Sequence, residues 1–486
     1  MNQAQNSSGG HLPSVIQGGM GVGVSGWRLA SAVARKGMLG VVSGTALDQV
    51  MVRRLQQGDQ DGAMRRACEA FPDPSVAECA LRRYYVPGGK SPDQPFRSFP
   101  SHTIGMLAKF QAVSVLAAFA EVWCAKERHN GPVGINLLEK IALPNPAILY
   151  GAMLAGVDYV LMGAGIPWQV PGILDNLSTH RAVSQTVAVA GGRGEPPVDV
   201  PFDPKEVVQV PDAPLKRPSF LAIVSSATLA QALLKRATGA IQGFIVEHFT
   251  AGGHNAPPRG AAQNNDRGEP IYGPRDETDL EKMSALGLPF WLAGRQGYEG
   301  SVAQAQALGA AGVQVGTLFA FCSESGLDPD LRLQALASLQ SGQADVFTDP
   351  LASPTGFPFK VVAVPGSLSD DEEYVGRRRL CDAGYLRALA RRPDGRLVYR
   401  CPAEPVDAYA AKGGDPADTE GRKCLCNALI ANIGLGQSRA DGIVEKPMLT
   451  AGEDFLRLGT IMKDKLMNYT AADVLELLMR PAPVPA

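Results

Sequence analysis

The sequence predicts an α/β protein built around a (β/α)8 TIM barrel, with a helical insertion and an appended C-terminal module. Eight short apolar runs alternate with helical segments, which is the pattern of a parallel barrel. Glycine or a polar residue follows most of these runs, where strand-to-loop turns are expected. The 54 glycines and 37 prolines among 486 residues fit many such joints. A doubly wound open sheet is the competing architecture, but it does not need glycines after both of the last two runs, at Gly294 and Gly316.

The bulk composition is that of a soluble globular enzyme with a large core, since 45% of the residues are hydrophobic and 19% are charged. The formal net charge of −2 gives no indication of nucleic acid or an anionic membrane surface as a partner. No apolar run reaches membrane-spanning length, and residues 113–120 read as part of one helix. The first residues are polar and uncharged after Met1, unlike a signal peptide. We therefore expect a cytoplasmic protein that acts on a small molecule.

The chain divides into three parts that differ in composition and in predicted secondary structure. Residues 1–12 are a polar tail predicted to be disordered, and residues 13–326 are predicted to form the barrel. An insertion at about 46–105 begins with Arg-rich helices, whose basic face is predicted to be solvated. Residues 327–486 are predicted to form a cysteine-containing module that packs on the barrel.

The eight predicted strands read as buried on both faces, as in a parallel sheet covered by helices. They span residues 15–17, 39–42, 133–137, 157–162, 220–224, 244–247, 289–293 and 312–315. Ser25 is predicted to cap the first helix, and an amphipathic helix over 107–126 precedes the third strand. The polar span before residue 218 is predicted to hold loops or a small hairpin, and the loop 249–275 is a candidate lid.

The stretch after the sixth predicted strand combines the residue types that α/β proteins use for chemistry. The strand ends at the carboxylate Glu247, and the chain then passes through Gly252 and Gly253 to His254. Paired glycines allow backbone N–H groups to turn toward a ligand, because no Cβ is in the way. Loop residues at strand ends carry binding and catalysis disproportionately, so His254 is the predicted catalytic residue. The alternative is an ordinary loop histidine, and His248 is predicted to be structural or to line the pocket.

The ends of the seventh and eighth predicted strands favour a phosphate site. Backbone amides at Gly294, Arg295, Gly316 and Thr317, with a helix starting at Thr317, would form an anion-binding nest. The alternative is that these glycines only relieve crowding in tight turns.

The first and third strand ends favour a planar ring beside that phosphate. The run Gly19-Met20-Gly21 leaves room for a flat ring against the backbone, and Asn136 can hydrogen-bond a polar ring edge. A phosphorylated, planar, heteroaromatic cofactor fits all these parts, and FMN is the predicted one.

Four motifs, weak singly but specific in their order and spacing, resemble those of a known family: Gln17-Gly18-Gly19-Met20-Gly21, Gly134-Ile135-Asn136-Leu137, Ala251-Gly252-Gly253-His254 and Gly312-Val313-Gln314-Val315-Gly316-Thr317. The chain resembles the nitronate monooxygenase family, also called 2-nitropropane dioxygenases. These are FMN-dependent barrels related to the trans-acting enoyl reductases of polyunsaturated-fatty-acid and polyketide synthesis. The resemblance covers about residues 13–325, and the C-terminal part is similar to one long subgroup of the family.

The resemblance implies which residues hold FMN and which act on the substrate. His254 is implied to lie near the flavin as an acid/base or electrostatic catalyst. Gly19, Gly252 and Arg295 are further cofactor-binding candidates beside the implied FMN contacts, which are Met20, Gly21, Asn136, Gly253, Gly294, Gly316 and Thr317. Arg295 departs from the family, which usually has a second glycine there, and it is expected either to contact the phosphate or to crowd it.

The activity implied first is the oxidation of nitronates or similar small carbanions with O2. The alternative is an enoyl reductase that uses FMN and NAD(P)H on chains bound to an acyl carrier protein. A third hypothesis is a barrel that serves chiefly as an interaction platform through its C-terminal part. A homodimer is the oligomer considered, and neither nucleic acid nor a membrane is expected as a partner.

Cys381, Cys401, Cys424 and Cys426 are the candidate metal ligands, because four soft ligands in one segment can bind Zn²⁺ or an iron–sulfur cluster. The usual pairs of cysteines with two residues between them are missing, since only one residue, Leu425, separates Cys424 from Cys426. Reduced thiols packed as small apolar groups are the favoured interpretation, so no metal is predicted. The arginine runs at 377–379 and 391–392 are expected to be solvated, with an acidic carrier protein as the alternative contact.

Overall fold

The structure, a computed structural model, describes residues 12–190, 195–392, 394–439 and 441–481. Eight parallel strands form a closed barrel, which confirms the predicted fold class. In chain order, barrel strands 1 to 8 are Val15–Gln17, Leu39–Ser43, Val133–Leu138, Tyr159–Gly163, Ser219–Val224, Gly243–Glu247, Phe290–Ala293 and Gly312–Val315. The predicted disordered tail at 1–12 lies outside the described residues except for Leu12.

The barrel closes because strand 1 pairs with both strand 2 and strand 8, with Val15 opposite Val313. One apolar cluster draws side chains from six different strands, which is only achievable inside the barrel. Its largest member is Trp291, which is fully buried and donates its indole N–H to the carbonyl of Pro13 at 2.7 Å. The barrel interior is therefore packed below the strand ends, and the space for a ligand lies above them.

The α-helices are Trp27–Ala34, Leu47–Gln56, Ala63–Ala70, Pro74–Tyr84, Ala108–Lys126, Asn145–Leu154, Val170–Leu177, Pro204–Val207, Ala227–Arg236, Leu280–Ser284, Ser301–Ala307, Thr317–Ala320, Pro329–Gln340, Asp371–Gly376, Val406–Ala411, Leu425–Ala431, Asp454–Met462 and Ala471–Met479. Short 3-10 helices occur at Pro416–Thr419 and Lys463–Lys465.

The predicted insertion is helical up to Tyr84, but its basic face is not solvated throughout. Arg53 is 1% exposed and donates to the carbonyl of Leu435 at 2.6 Å. Arg54 forms an ion pair with the buried Glu121 at 2.7 Å. The prediction is therefore wrong for these two side chains, because distant parts of the chain cover this face of the insertion.

The helix Ala108–Lys126 is long and apolar enough to span a bilayer by length and composition, and it is the one such helix in the described part of the chain. It is buried over 72% of its most apolar window, between the insertion helices and the helix Asn145–Leu154. The predicted amphipathic pattern is absent because the insertion covers the face that would otherwise meet water.

In the described ranges, three small sheets lie outside the barrel. Val183–Val187 and Val198–Phe202 pair in the antiparallel sense, which is the small hairpin considered for this span. Val346–Asp349 pairs with Phe359–Val362 in the same sense. The third sheet has three strands and joins the two halves of the chain, and it consists of Val189–Ala190, Ala388–Arg391 and Leu397–Arg400.

The residues after 326 share the apolar core of the barrel. Leu449, Phe455 and Tyr469 are buried in the same cluster as strand residues such as Val15. The Tyr469 hydroxyl donates to the carbonyl of Leu318 at 2.6 Å. The division of the chain at residue 326 stays a prediction, but the side chains on its two sides are packed together.

Candidate active site

A cavity of about 230 Å³ lies at the carboxyl ends of the barrel strands. The structure brings every predicted catalytic and cofactor-binding residue to the wall of this cavity, although the residues come from five places in the chain. These residues are Gly19, Met20, Gly21, Asn136, Gly252, Gly253, His254, Gly294, Arg295, Gly316 and Thr317.

The first strand-to-helix loop borders the cavity and packs closely on strand 3. A Cβ added to Gly19 would overlap the side chain of Asn136, so only glycine allows this approach. The Met20 N–H donates to Ser25 Oγ at 2.7 Å. The predicted cap is thus wrong, because Ser25 holds the loop while the helix begins after Gly26 without a side-chain cap.

Two side-chain amides at the cavity wall have oxygens without partners. Asn136 Oδ1 and Gln314 Oε1 are both buried, and neither accepts a hydrogen bond within the described residues. Buried polar atoms are rarely left in this state without a ligand or water. An amide offers one acceptor and one donor, which matches the alternating carbonyl and N–H edge of a flavin ring. Sequence reasoning singled out Asn136 but missed Gln314, which lies in the quoted strand 8 motif.

The turn after strand 7 adds a positive charge to the cavity. Gly294 and Arg295 have φ of 87° and 57°, so two consecutive residues are in the left-handed region. This conformation costs a non-glycine residue about 1 kcal/mol, which explains why glycine is the expected residue here. Arg295 is exposed and forms no hydrogen bond among the residues that the structure describes, although its positive charge favours ionisation of Asp454 on the same cavity wall. Its guanidinium is therefore available to an anionic group such as a phosphate.

The end of strand 8 offers less to an anion than the sequence predicts. The helix that starts at Thr317 is a single turn, Thr317–Ala320, which limits any helix dipole. The Thr317 hydroxyl already accepts the N–H of Gly452 at 2.9 Å.

A C-terminal segment, residues 449–454, closes one side of the cavity and was missed by sequence reasoning. A Cβ added to Gly252 would lie 2.7 Å from the N atom of Gly452. The Gly253 N–H donates to Thr450 Oγ1 at 3.0 Å. The paired glycines therefore allow this segment to pack closely. Contrary to the prediction, the Gly253 N–H does not turn toward a ligand, because it is bonded to Thr450. No local pattern indicates this contact, which joins residues 197 positions apart.

His254 lines the cavity as a neutral imidazole. Its Nε2 is 2.7 Å from Ser353 Oγ, and its ring packs edge-on against Phe359 with centroids 4.9 Å apart. Burial, with a smaller contribution from the positive charge of Lys140, lowers the pKa of His254 to about 4. A positively charged imidazole is therefore not favoured at neutral pH, and the role left to His254 is hydrogen bonding.

Glu247, the last residue of strand 6, is the cavity residue whose pKa lies near neutrality. Burial raises the pKa of Glu247 to about 7. Its carboxylate has no hydrogen-bond or ion-pair partner in the described ranges, and it lines the same cavity as His254. The sequence shows a carboxylate at this strand end, but its burial depends on residues distant in the chain.

A buried hydrogen-bond network reaches the cavity through Tyr385. The Tyr385 hydroxyl donates to Asp48, which also contacts His102 Nε2 at 2.7 Å and accepts from Ser114 Oγ at 2.9 Å. Burial opposes ionisation of Asp48, but His102 and these hydrogen bonds keep its pKa below the usual value. Asp48 is therefore the fixed negative charge behind this wall.

His248 and the C-terminal cysteines lie outside this arrangement, with one exception. His248 bonds Thr250 Oγ1 at 2.8 Å and Glu277 Oε1 at 3.0 Å, so it orders its own loop. Cys426 reaches the cavity wall, and with the other three cysteines it borders a second, smaller cavity. In the described ranges, no three His, Cys, Asp or Glu side chains converge as ligands of one metal ion.

The residues at the main cavity fit a flavin mononucleotide. The unpartnered amides match its ring edge, Arg295 matches its phosphate, and the tight packing at Gly19 keeps the loop backbone close to the strand ends.

No family model matches the chain, and no curated protein matches it either. Similar solved structures include FabK from Thermotoga maritima, with 16% identity, a TM-score of 0.45 and coverage of 96% of this chain and 91% of that chain. A nitroalkane oxidase from Streptomyces ansochromogenes has 15% identity, a TM-score of 0.45 and coverage of 96% and 94%. The enoyl reductase domain of MlnA from Bacillus amyloliquefaciens has 10% identity, a TM-score of 0.42 and coverage of 96% and 93%.

Proposed function

We propose that the chain is an FMN-dependent oxidoreductase that oxidises small nitroalkanes, as their nitronates or similar carbanions, with O2. The observation that carries the proposal is the unpartnered Glu247 carboxyl at the cavity, with its pKa raised to about 7. A general base works best when its pKa is near the operating pH.

FMN would be held by the groups that lack protein partners. The amides of Asn136 and Gln314 would meet the ring edge, and Arg295 would meet the phosphate. When bound, FMN supplies the acceptor for the substrate electrons, which O2 finally receives.

The chain's own groups would prepare the substrate. Glu247 would take the proton from the carbon next to a nitro group, which leaves the nitronate. If the Ser353 hydroxyl donates to Nε2 of His254, the ring proton lies on Nδ1. Nδ1 has no hydrogen-bond partner in the described part of the chain, so this N–H is free to hold a nitro oxygen.

The second candidate is an enoyl reductase that acts on carrier-bound acyl chains with NAD(P)H. The cavity has an apolar wall that would suit an acyl chain, formed by Val22, Leu138, Ile141, Leu386 and Leu429. Tyr385, which carries a hydroxyl group, lies on the same wall.

Rapid anaerobic mixing distinguishes the two candidates. The purified protein, with its released flavin identified as FMN by chromatography, is mixed separately with a small alkyl nitronate and with NADPH. We expect loss of the oxidised-flavin absorbance with the nitronate and little change with NADPH. Bleaching by NADPH alone would replace the proposal with the enoyl reductase, and a protein purified without flavin would contradict both.

A further inference from the structure

Asp454 is a buried carboxyl on the wall of the main cavity, and one of its two oxygens has no partner. It is the first residue of the helix Asp454–Met462 and is 5% exposed. Its Oδ2 accepts the N–H of Gly297 at 2.9 Å, whereas its Oδ1 is buried and has no hydrogen bond within the described residues. Because buried polar atoms are rarely left without a partner, we expect Oδ1 to meet a ligand group in the cavity.

Two loops of the barrel hold this carboxyl in place. The N–H of Glu453, the preceding residue, donates to the carbonyl of Thr250 in the loop after strand 6 at 3.1 Å. A Cβ added to Gly297 would lie 2.8 Å from Asp454 Oδ2, so glycine allows the loop after strand 7 to approach the carboxyl closely. Asp454 is therefore preorganised before a ligand arrives, which lowers the cost of binding.

The surroundings of Asp454 influence its ionisation in opposite directions. Burial raises the pKa of Asp454, and the negative charge of Glu453 adds to this effect. The N–H of Gly297 and the positive charges of Arg457 and Arg295 act in the opposite direction. A ligand group that can pair with the carboxyl in either protonation state therefore fits Oδ1 best.

Among the polar groups of FMN, the hydroxyls of the ribityl chain that joins the ring to the phosphate meet this requirement. A hydroxyl both donates and accepts hydrogen bonds, so it pairs with an ionised or a protonated carboxyl. The phosphate is negatively charged and would be repelled by an ionised Asp454. The amides of Asn136 and Gln314 suit the ring edge and Arg295 suits the phosphate, which leaves the hydroxyls for Asp454.

We propose that Asp454 binds a hydroxyl of the ribityl chain of FMN through Oδ1. The C-terminal part of the protein then contributes a contact of its own to the cofactor, in addition to closing the cavity. The proposal rests on the FMN binding proposed above, but it depends neither on the substrate nor on the direction of the reaction.

The test is fluorescence titration of the full-length apoprotein with three flavins. Lumiflavin is the ring without the ribityl chain, riboflavin has the chain, and FMN has the chain and the phosphate. The ratio of the affinities for riboflavin and lumiflavin therefore measures recognition of the chain without the phosphate. A hydrogen bond to a charged group corresponds to about 10- to 100-fold in affinity, so we expect the wild type to bind riboflavin at least about tenfold more tightly than lumiflavin.

Variants assign this preference to one side chain. Asp454→Ala should lower the ratio by about tenfold or more, with little change in the affinity for lumiflavin. Asp454→Asn keeps the size of the side chain and an acceptor for Gly297, so it should lower the ratio by a smaller factor. Arg295→Gln should weaken the binding of FMN and leave the ratio unchanged. The matched control is Glu476→Ala, which removes an exposed carboxylate outside the cavity wall and should bind all three flavins as the wild type does.

Several results would overturn the proposal. One is equal affinity of the wild type for riboflavin and lumiflavin. An equal loss for all three flavins in Asp454→Ala would show that Asp454 only holds the loop after strand 7, and a loss confined to FMN would show that it binds the phosphate. If Asp454→Ala does not fold, an unchanged ratio in Asp454→Asn overturns the proposal instead. A wild type that binds none of the flavins would contradict the FMN proposal itself, and this one with it.

Discussion

At the scale of single residues, the main cavity is marked by polar groups that the protein leaves without partners. The amide oxygens of Asn136 and Gln314, the guanidinium of Arg295 and the carboxyl of Glu247 all face it. Polar groups without hydrogen-bond partners lower the stability of the fold unless a ligand bonds to them. Several of them at one cavity therefore indicate a functional site. Glu247 combines this with a pKa near neutrality, and its removal gives the sharpest test at this scale.

Glu247→Gln should abolish proton removal without blocking later steps. In the wild type, kcat/KM for a neutral nitroalkane should fall as pH drops below about 7, because the base is then protonated. In the variant we expect a loss of about 100-fold or more with the nitroalkane and no inflection near pH 7. A preformed nitronate bypasses the base, so its oxidation should be nearly unchanged.

The matched control is Glu277→Gln, which removes an exposed carboxylate from the following loop but leaves the cavity wall intact. An equal loss with nitroalkane and nitronate in Glu247→Gln would show that Glu247 positions the cofactor and does not act as the base.

The sequence predicted the glycines and His254 at the site because each lies in a short motif at the end of a strand. It could not predict the neutral state of His254, since that depends on burial by Phe359 and Ser353, about a hundred positions later. The same holds for the role given to Glu247.

At the scale of elements, the loop after strand 6 and the segment 449–454 fit together through glycine. Gly252→Ala would place a methyl group 2.7 Å from the Gly452 N atom and 2.8 Å from the Ala451 carbonyl carbon. Overpacking of this kind costs about 1–3 kcal/mol, which corresponds to roughly tenfold to a hundredfold weaker FMN binding if the cavity wall moves.

Flavin fluorescence titration of the apoprotein measures that change. Gly273→Ala is the control in the same loop, because an added Cβ there meets nothing within 4 Å. FMN affinity equal in Gly252→Ala and wild type would contradict the closing role of the segment.

All eight barrel strands could be predicted, since each is a short apolar run that ends near glycine or a polar residue. The position of the helix Ala108–Lys126 could be predicted from the sequence. Its burial on both faces could not, because that depends on the insertion, which leaves no pattern in the sequence of the helix itself. The loop 249–275 as a lid stays a prediction.

At the scale of the whole molecule, barrel and C-terminal residues depend on one core. A chain that ends at residue 326 would lose Leu449, Phe455 and Tyr469 from that core, and with them one wall of the cavity. We expect the truncated chain to be insoluble or to lack a cooperative transition.

The full chain should instead unfold in urea in one transition. All four tryptophans lie before residue 327, so their fluorescence reports on the barrel while far-UV circular dichroism reports on the whole chain. The two curves should coincide. A soluble, cooperatively folded fragment 1–326 would contradict this and support an independent C-terminal module.

The sequence could indicate a change of composition near residue 326. It could not indicate how residues 13–326 and 327–486 pack against each other. Contacts such as that of Arg53 with Leu435, 382 positions apart, leave no periodicity to read. The meeting of four cysteines from three stretches was likewise invisible in their spacing.

The wall of the main cavity runs from Gly18 to Asp454, which has a consequence for synthesis on the ribosome. When the eighth strand emerges from the ribosome, all barrel strands are available. The residues that close the cavity, 449–454, are more than a hundred positions later in the chain and have not yet emerged. The binding site can therefore be completed only after residue 454 has left the exit tunnel. Cofactor capture would then be a late event that marks a nearly finished chain.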